Sequence, residues 1–324
     1  MHYAQIFRTA ALALVTAGAA AAQTVKHPEL ERSVPLPTGY PTDMVLIPAG
    51  TFPRGADSEE FAEQPVREIF LSDYLIDKYE VTVAQWGEYQ RDTGAMIPEW
   101  NFQNAKSRQD HPIASVTWYE AVDFCNWAGK RLPTEAEWER AARCDDGRRY
   151  PWGDGLDSFR ANYFGSNDPY ESGLGVVLQT TPVGFYDGSV RDGYPTRDGS
   201  SIFGVHDMVG NVFEWTFDWF SGRYYTISVD SNPRGPIVGE PRDPARPERG
   251  VFAEADLIVK AVRSGSYATD GSHVRTTYRA PDPPDLRAWD RGFRCAQSAL
   301  ATGIEAESWG SVKATARDAA QEGR

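Results

Sequence analysis

Few side chains in this chain could bind a soft metal or form a covalent bridge. Three cysteines occur, Cys125, Cys144 and Cys295, and the histidines beyond residue 22 are His27, His111, His206 and His273. An odd number of cysteines in an oxidising compartment implies one disulfide and one thiol left over, and spacing alone does not choose the pair. No two histidines share an HxxxH spacing, and a lone histidine is more often a hydrogen-bonded structural residue than a ligand. Oxygen donors are abundant: 46 Asp and Glu against 33 Lys and Arg give a formal charge of −13. Such a surface repels phosphate backbones and excludes nucleic acid as a partner. It could hold cations or basic partners, although the same charge also serves plain solubility.

The elements that must position these groups belong to a loop-rich globule. Ten tryptophans, 29 glycines and 22 prolines in 324 residues argue against a helical bundle, while 41% hydrophobic residues suffice for a sizeable core. Residues 1–22 read as a secretory signal: Arg8, an apolar run over 10–17, then Ala20-Ala21-Ala22 before Gln23. That run is too short for a membrane span, so the expected location is periplasmic or secreted, with no membrane span after signal cleavage. Residues 23–42, with Pro35, Pro37 and Pro41, form an irregular lead-in. Strands are expected over 44–48 and 68–75. Capping boxes at Thr82/Gln85, Thr117/Glu120 and Thr134/Glu137 open three helices, with Gly129 closing the second. Residues 145–210 are rich in Gly, Asp, Asn and Pro, a length of loop that is usually functional or disordered. Phe213, Trp215, Phe217 and Trp219 alternate with Glu214, Thr216 and Asp218, a strand with one aromatic face. Residues 222–258 read as a surface insertion, 262–267 and 292–296 as short closing strands, and 299–324 as a tail.

Seven segments in order resemble the formylglycine-generating-enzyme, or sulfatase-modifying-factor, family. They are Met44-Val45-Leu46-Ile47-Pro48-Ala49-Gly50-Thr51-Phe52; Asp77-Lys78-Tyr79-Glu80-Val81-Thr82; His111-Pro112-Ile113; Gly129-Lys130-Arg131-Leu132-Pro133-Thr134-Glu135-Ala136-Glu137-Trp138-Glu139; Pro151-Trp152-Gly153; Gly210-Asn211-Val212-Phe213-Glu214-Trp215; and Arg291-Gly292-Phe293-Arg294-Cys295. The resemblance spans 43–298 as one domain and implies a compact, irregular α+β fold related to C-type lectins. Most of these residues build that fold: Arg131, Glu135, Glu137 and Trp138 as caps and buried pairs, and Trp152, Trp215 and Trp219 as core.

The resemblance also implies a chemistry. The family oxidises a client cysteine to formylglycine with copper held by two cysteines, on the segment after an Arg-Gly-Gly-Ser-like strand. Here that strand resembles Arg263-Ser264-Gly265-Ser266-Tyr267, and the two cysteine positions fall on Thr269 and Val274. Neither offers the thiolate that suits Cu(I), so copper-dependent oxidation is not expected. Cys125 and Cys295 resemble the family's disulfide pair, which leaves Cys144 as a free, partly buried thiol. The family's calcium ligands fall on Asp207, Gly210, Val212 and Glu214, an oxygen set suited to a hard, geometrically tolerant cation. The competing arrangement pairs Glu214 with an arginine. A second calcium site would begin at Asn162 and Tyr163. Its later acidic ligand falls on Gly175, with Asp168 or Glu171 as substitutes.

Two functions follow. The first is an exported accessory or maturation factor that binds a peptide, a protein client or a small periplasmic metabolite without copper–cysteine chemistry. The alternative is a metal-dependent oxidative maturation enzyme, with non-haem iron as a possible cofactor, acting on a periplasmic protein or siderophore-type metabolite. Thr269, Asp270, His273 and Arg275 are the candidate catalytic residues for that chemistry. A third reading, an envelope component whose acidic surface docks partners, is the least specific.

Overall fold

The computed structural model describes residues 28–96, 108–172, 179–191, 193–236 and 259–299. The expected signal segment, most of the tail and the greater part of the expected insertion lie outside them.

The fold is mixed, with two four-stranded sheets and short helices. One sheet has the order β1-β2-β5-β12 and is antiparallel: β1 (Glu31–Ser33), β2 (Asp43–Ile47), β5 (Tyr74–Asp77) and β12 (Ala296–Ser298). The irregular lead-in thus contributes an edge strand. The other has the order β10-β9-β8-β11: β8 (Phe213–Trp219), β9 (Lys260–Arg263), β10 (Arg279–Asp282) and β11 (Arg291–Gly292), with β11 parallel to β8. The hairpin β3 (Gly50–Arg54)/β4 (Arg67–Leu71) stands apart, as does the two-residue pair β6 (Val190–Arg191)/β7 (Tyr194–Pro195). The segment 68–75, expected as one strand, is therefore two strands in different sheets, β4 and β5, broken at Ser72-Asp73. Alternation alone does not reveal a strand that changes sheet.

All three capping boxes are present. They open α1 (Val83–Thr93), α2 (Trp118–Trp127) and α3 (Glu135–Arg143). Two further one-turn helices, α4 (Pro169–Ser172) and α5 (Tyr224–Ile227), lie in the loop regions. The aromatic residues of α1 and α2 (Trp86, Trp118, Phe124) pack with Trp215 and Phe293 around the Cys125–Cys295 disulfide. A second core places Trp138 of α3 against Ile47, Phe52, Ile69 and Tyr74. Residues 222–236 of the expected insertion pack inward at Tyr224 and Tyr225, and Tyr225 lies under the Arg54 guanidinium at 4.0 Å.

Strand β8 departs from its expected one-sided character. Glu214, Thr216 and Asp218 are 0%, 0% and 1% exposed, so the polar face is the more deeply buried. The aromatic face opens toward solvent at Phe217 and Trp219. Each polar side chain has a buried partner, Arg294 for Glu214, the Ala261 carbonyl for Thr216 and the Glu135 amide for Asp218, and the last adjoins a buried ion network. Glu135, fully buried at the start of α3, accepts Arg279 Nε at 2.6 Å and Nη2 at 2.7 Å, and Arg54 Nη2 at 3.1 Å, with Arg263 Nη1 at 3.4 Å. Glu139, one turn on, accepts Arg263 Nη2 at 2.9 Å, Arg143 Nη1 at 3.1 Å, Tyr225 Oη at 2.9 Å and the Gly55 amide at 2.7 Å. Burial pushes the Glu135 carboxyl up, yet Arg279, Arg263 and Arg54 together hold it below the ordinary carboxylate range. This network ties α3 to β3, β9 and β10.

Removing one carboxylate from such a network strands several buried guanidinium groups. Glu135→Ala should cost about 3–5 kcal/mol in urea unfolding, whereas Thr134→Ala, which loses a cap, should cost about 1 kcal/mol.

Candidate functional site

Arg263 anchors the site by donating to the Thr276 and Thr277 carbonyls at 2.7 and 3.0 Å, in addition to its carboxylates. Beyond it, Ser264 (φ 85°) and Gly265 (φ 76°) turn the chain through left-handed geometry. A Cβ on Gly265 would meet Val274 Cγ1 at 2.7 Å, so glycine is needed there for close approach as well as for φ. The turn delivers Ser266 and Thr269. The Ser266 hydroxyl donates to Asp290 Oδ2 at 2.8 Å, and the Ser266 amide donates to Thr269 Oγ1 at 3.0 Å. Val274 is fully buried against Tyr150, Ala161, Tyr163 and Val209.

These are the two positions where the family resemblance places copper-binding cysteines. One carries a hydroxyl engaged by Ser266, the other an isopropyl group in the core. The remaining thiol does not compensate. Cys144 closes α3, is 3% exposed, and burial pushes its pKa up to about 11. Cys125 and Cys295 are bridged. The residues present do not fit a two-thiolate copper site.

Apolar side chains stand exposed around Thr269. The Phe164 amide donates to the Thr269 carbonyl at 3.0 Å, and its ring is 55% exposed. Trp289, 45% exposed, lies against Tyr267 at 5.3 Å. Leu156, also exposed, reaches the Gly271 position. These three exposed apolar side chains thus belong to segments in contact with residues 267–271, among which Thr269 is half-buried.

The other candidate residues turn elsewhere. Asp270 accepts the Ser272 amide at 2.8 Å and lies 3.2 Å from His273 Nδ1. His273 Nε2 is 3.5 Å from Glu60, and its ring meets Tyr278 edge-on at 5.1 Å. Arg275 is buried, with Glu63 accepting from Nε at 3.0 Å and from Nη2, and Glu59 at 3.2 Å. Asp270 and His273 thus form a surface pair beside Glu60, whereas Arg275 braces residues 59–63. Among the described residues, no three His, Cys, Asp or Glu side chains are grouped to hold a metal. His111 is bound to Thr180 Oγ1 at 2.9 Å and is kept neutral by burial, which pushes its pKa down to about 4. His206 lies against Tyr79 at 5.2 Å. His27 is outside the described residues.

The four expected calcium residues share one contorted turn, with left-handed φ at Asp207 (58°), Gly210 (78°) and Asn211 (60°). A Cβ on Gly210 would stand 2.0 Å from the Asn162 carbonyl oxygen, which fixes glycine there. Asp207 Oδ2 accepts the Gly184 amide at 2.6 Å, and the Gly210 carbonyl accepts Ser264 Oγ at 2.9 Å. Glu214 is bound by Arg294 through Nε at 2.7 Å and Nη2 at 2.8 Å, and by Trp138 Nε1 at 2.8 Å. The competing arginine pairing is therefore present, with Arg294 as the partner. At the second expected calcium site, the Asn162 amide donates to the Gln179 carbonyl at 2.8 Å, and the Tyr163 carbonyl accepts the Ser166 amide at 2.9 Å. Asp168 is held by Ser166, Tyr186 and the Tyr170 amide. Gly175 and the Glu171 side chain lie outside the described residues.

Glu80 joins this acidic group without having been assigned a role from sequence. It is 1% exposed and accepts Asn211 Nδ2 at 3.2 Å through Oε2, while Oε1 has no hydrogen-bond partner. Burial, then Asp207 and Glu214, push its carboxyl well above the usual range, and burial pushes Asp207 up to about 6.

Comparison with known proteins matches the Sulfatase-modifying factor enzyme 1-like domain to residues 31–299, starting where β1 starts. The bovine formylglycine-generating enzyme is 30% identical over 312 residues, covering 81% of this chain and 76% of that protein. A bovine protein named inactive C-alpha-formylglycine-generating enzyme 2 is 26% identical over 83% of this chain and 92% of its own length. The serine/threonine-protein kinase Pkn1 of Chlamydia trachomatis is 31% identical over 84% of this chain, which spans 41% of that protein's length. Among solved structures, PvdO from Pseudomonas aeruginosa superposes with a TM-score of 0.60 at 23% identity, over 80% of this chain and 95% of that one, a likeness of fold.

Two outcomes follow from this geometry. Asp207 has a folded-state pKa of about 6 against an ordinary 3.8, so its stabilising contribution is present below the ordinary value and is lost as pH rises through about 6. In chelator, Asp207→Asn should raise stability at pH 7.5 by on the order of 1 kcal/mol and leave it unchanged near pH 4, read by thermal melts. Cys144 should resist a thiol reagent at pH 8 in the native protein and react once it is unfolded.

Proposed function

The chain belongs to the sulfatase-modifying factor enzyme 1-like family, and from that premise we propose that it is an exported accessory or maturation factor whose Thr269 cleft binds an extended peptide or small exported substrate without copper–cysteine oxidation. The observation that carries the reading is the pairing of a blocked chemistry with an open rim. Thr269 and Val274 stand where the thiolates would be, and Phe164, Trp289 and Leu156 remain exposed beside them. Exposed apolar groups set around a polar floor are what a peptide or small-ligand groove requires. The family includes a relative whose name declares it inactive, which makes retention of the fold without the oxidation plausible in kind.

The Cys125–Cys295 bridge supports export to an oxidising compartment, periplasmic or secreted. Calcium is the proposed cofactor, held near the 207–214 turn, where buried acids outnumber their arginine partner. The second reading, an oxidative maturation enzyme using another metal, is favoured by the placement of His273 between Asp270 and Glu60. It would act at the surface beside the cleft rather than on its floor.

The test is capture of fluorescent extended peptides, including cysteine-bearing ones, by the mature chain. Trp289→Ala should weaken capture about tenfold or more, while copper supplied to the wild type should leave peptide thiols intact. Copper-dependent loss of peptide thiols in the wild type would contradict the reading, as would capture unaffected by Trp289→Ala.

A further inference from the structure

Three carboxylates crowd one short turn, and all meet the segment that follows Thr269. Glu59, Glu60 and Glu63 stand on and just before the turn Phe61–Glu63. Arg275 collects them. Its Nε lies 3.0 Å from Glu63 Oε2 and 3.2 Å from Glu59 Oε2, its Nη2 donates to Glu63 Oε1, and Glu60 Oε1 is 4.0 Å away. The remaining arm, Nη1, donates to the Ser272 carbonyl inside the loop. His273 makes the second link. Its Nε2 lies 3.5 Å from Glu60 Oε1, while Nδ1 faces Asp270 Oδ2 at 3.2 Å and Ser272 Oγ at 2.9 Å. The His273 ring and the Arg275 guanidinium both lie 5.1 Å from the Tyr278 ring. The turn is itself fixed from its far side. The Ala62 carbonyl accepts Arg279 Nη1 at 2.9 Å, and Arg279 belongs to the buried Glu135 network. The Glu63 carbonyl accepts the Ala56 amide at 2.9 Å, and Glu59 also meets Arg149.

We propose that the acidic turn 59–63 is an ionic clamp that positions the Thr269 loop, with Arg275 and His273 carrying the rigidity of the buried network to the segment that meets a bound peptide or small ligand. The inference rests on the proposed function for what the loop binds. It adds Glu60, Glu63, His273 and Arg275 as positioning residues. Within the loop the backbone bonds are local: the Thr269 amide donates to the Ser266 carbonyl at 2.9 Å, and the His273 amide to the Asp270 carbonyl at 3.0 Å. Bonds of that reach shape the loop but do not tie it to the rest of the domain. The two links divide the work by burial. Glu63 and Arg275 are 1% and 3% exposed, so their two-pronged pair is shielded from water and holds direction as well as distance. His273 and Glu60 are about one-third exposed, so their pair adds a weaker restraint nearer to Asp270.

The experiment is amide hydrogen exchange by NMR on the whole mature chain, with peptide capture read in the same samples. Glu60→Ala should speed exchange at the Phe164, Thr269 and His273 amides and weaken capture, each by up to about fivefold, the worth of a half-exposed pair. The Ala128 amide, bonded to Phe124 at the end of α2, should exchange in that variant as in the wild type. Glu60→Gln, whose amide still bonds His273 Nε2, should restore both exchange and capture. Arg275→Met strands the buried Glu63 carboxylate and should speed the same loop amides by about a hundredfold or more. If Arg275→Met does not fold, the two Glu60 variants decide the matter. Wild-type exchange at Thr269 and His273 in the folded variants, or glutamine at 60 no better than alanine, would overturn the clamp. Faster exchange with capture unchanged would overturn the positioning role. A wild type that captures no peptide removes the proposed function, and exchange alone then decides the clamp.

Discussion

Two glutamates one turn apart on α3 hold the domain together. Glu135 and Glu139 collect Arg54, Arg143, Arg263 and Arg279 from separate elements, all of them at most 5% exposed. Charges this deep are tolerated because the forks are shared: each carboxylate meets several guanidinium donors, and the arginines spend further N–H groups on carbonyls. The consequence for function runs through Arg263. It is the last residue of β9, and the turn that presents Ser266 and Thr269 begins immediately after it. A loop-rich protein can keep an irregular cleft in one shape when the strand leading into it is fixed from below.

The same strand region contains a second, less balanced set of charges. Asp218 lies beside Glu135 and is pushed up to about 7, chiefly by burial, while burial pushes Lys260 down to about 7 between the Trp118 and Trp219 rings. Further along the same inward face of β8, Glu214 is bound by Arg294, whose charge also acts on Glu80 and Asp207. One face of β8 thus carries a member of each set. Its inward polar residues, Glu214, Thr216 and Asp218, each answer to a different partner: Arg294, the Ala261 carbonyl and the Glu135 amide.

Much of this was legible from residues with local, one-dimensional signatures. The three capping boxes declare themselves within four residues, and the helices they open are where the spacing put them. The substitution of the thiolate positions was readable because it concerns residue identity. What escaped were properties of partners distant in sequence. Glu214 was open between calcium and an arginine, and which arginine it meets, Arg294 far along the chain, was not readable. Arg275 looked available for a substrate, yet it is spent on Glu59 and Glu63. Glu80 could not be singled out because its hydrogen-bond partner, Asn211, comes from a segment far along the chain. The strand break at Ser72-Asp73 was hidden for a related reason, since alternation is the same on both sides of a change of sheet.

The account turns on whether the cleft can hold a soft ion. The direct measurement is a Cu(I) titration of the mature chain with its Cys125–Cys295 bridge intact against a competing chelator, with X-ray absorption reporting the ligands. A hydroxyl at Thr269, an isopropyl group at Val274 and a buried, protonated Cys144 thiol predict that the chelator keeps the copper. Stoichiometric uptake with two sulfur ligands would contradict the account at its base.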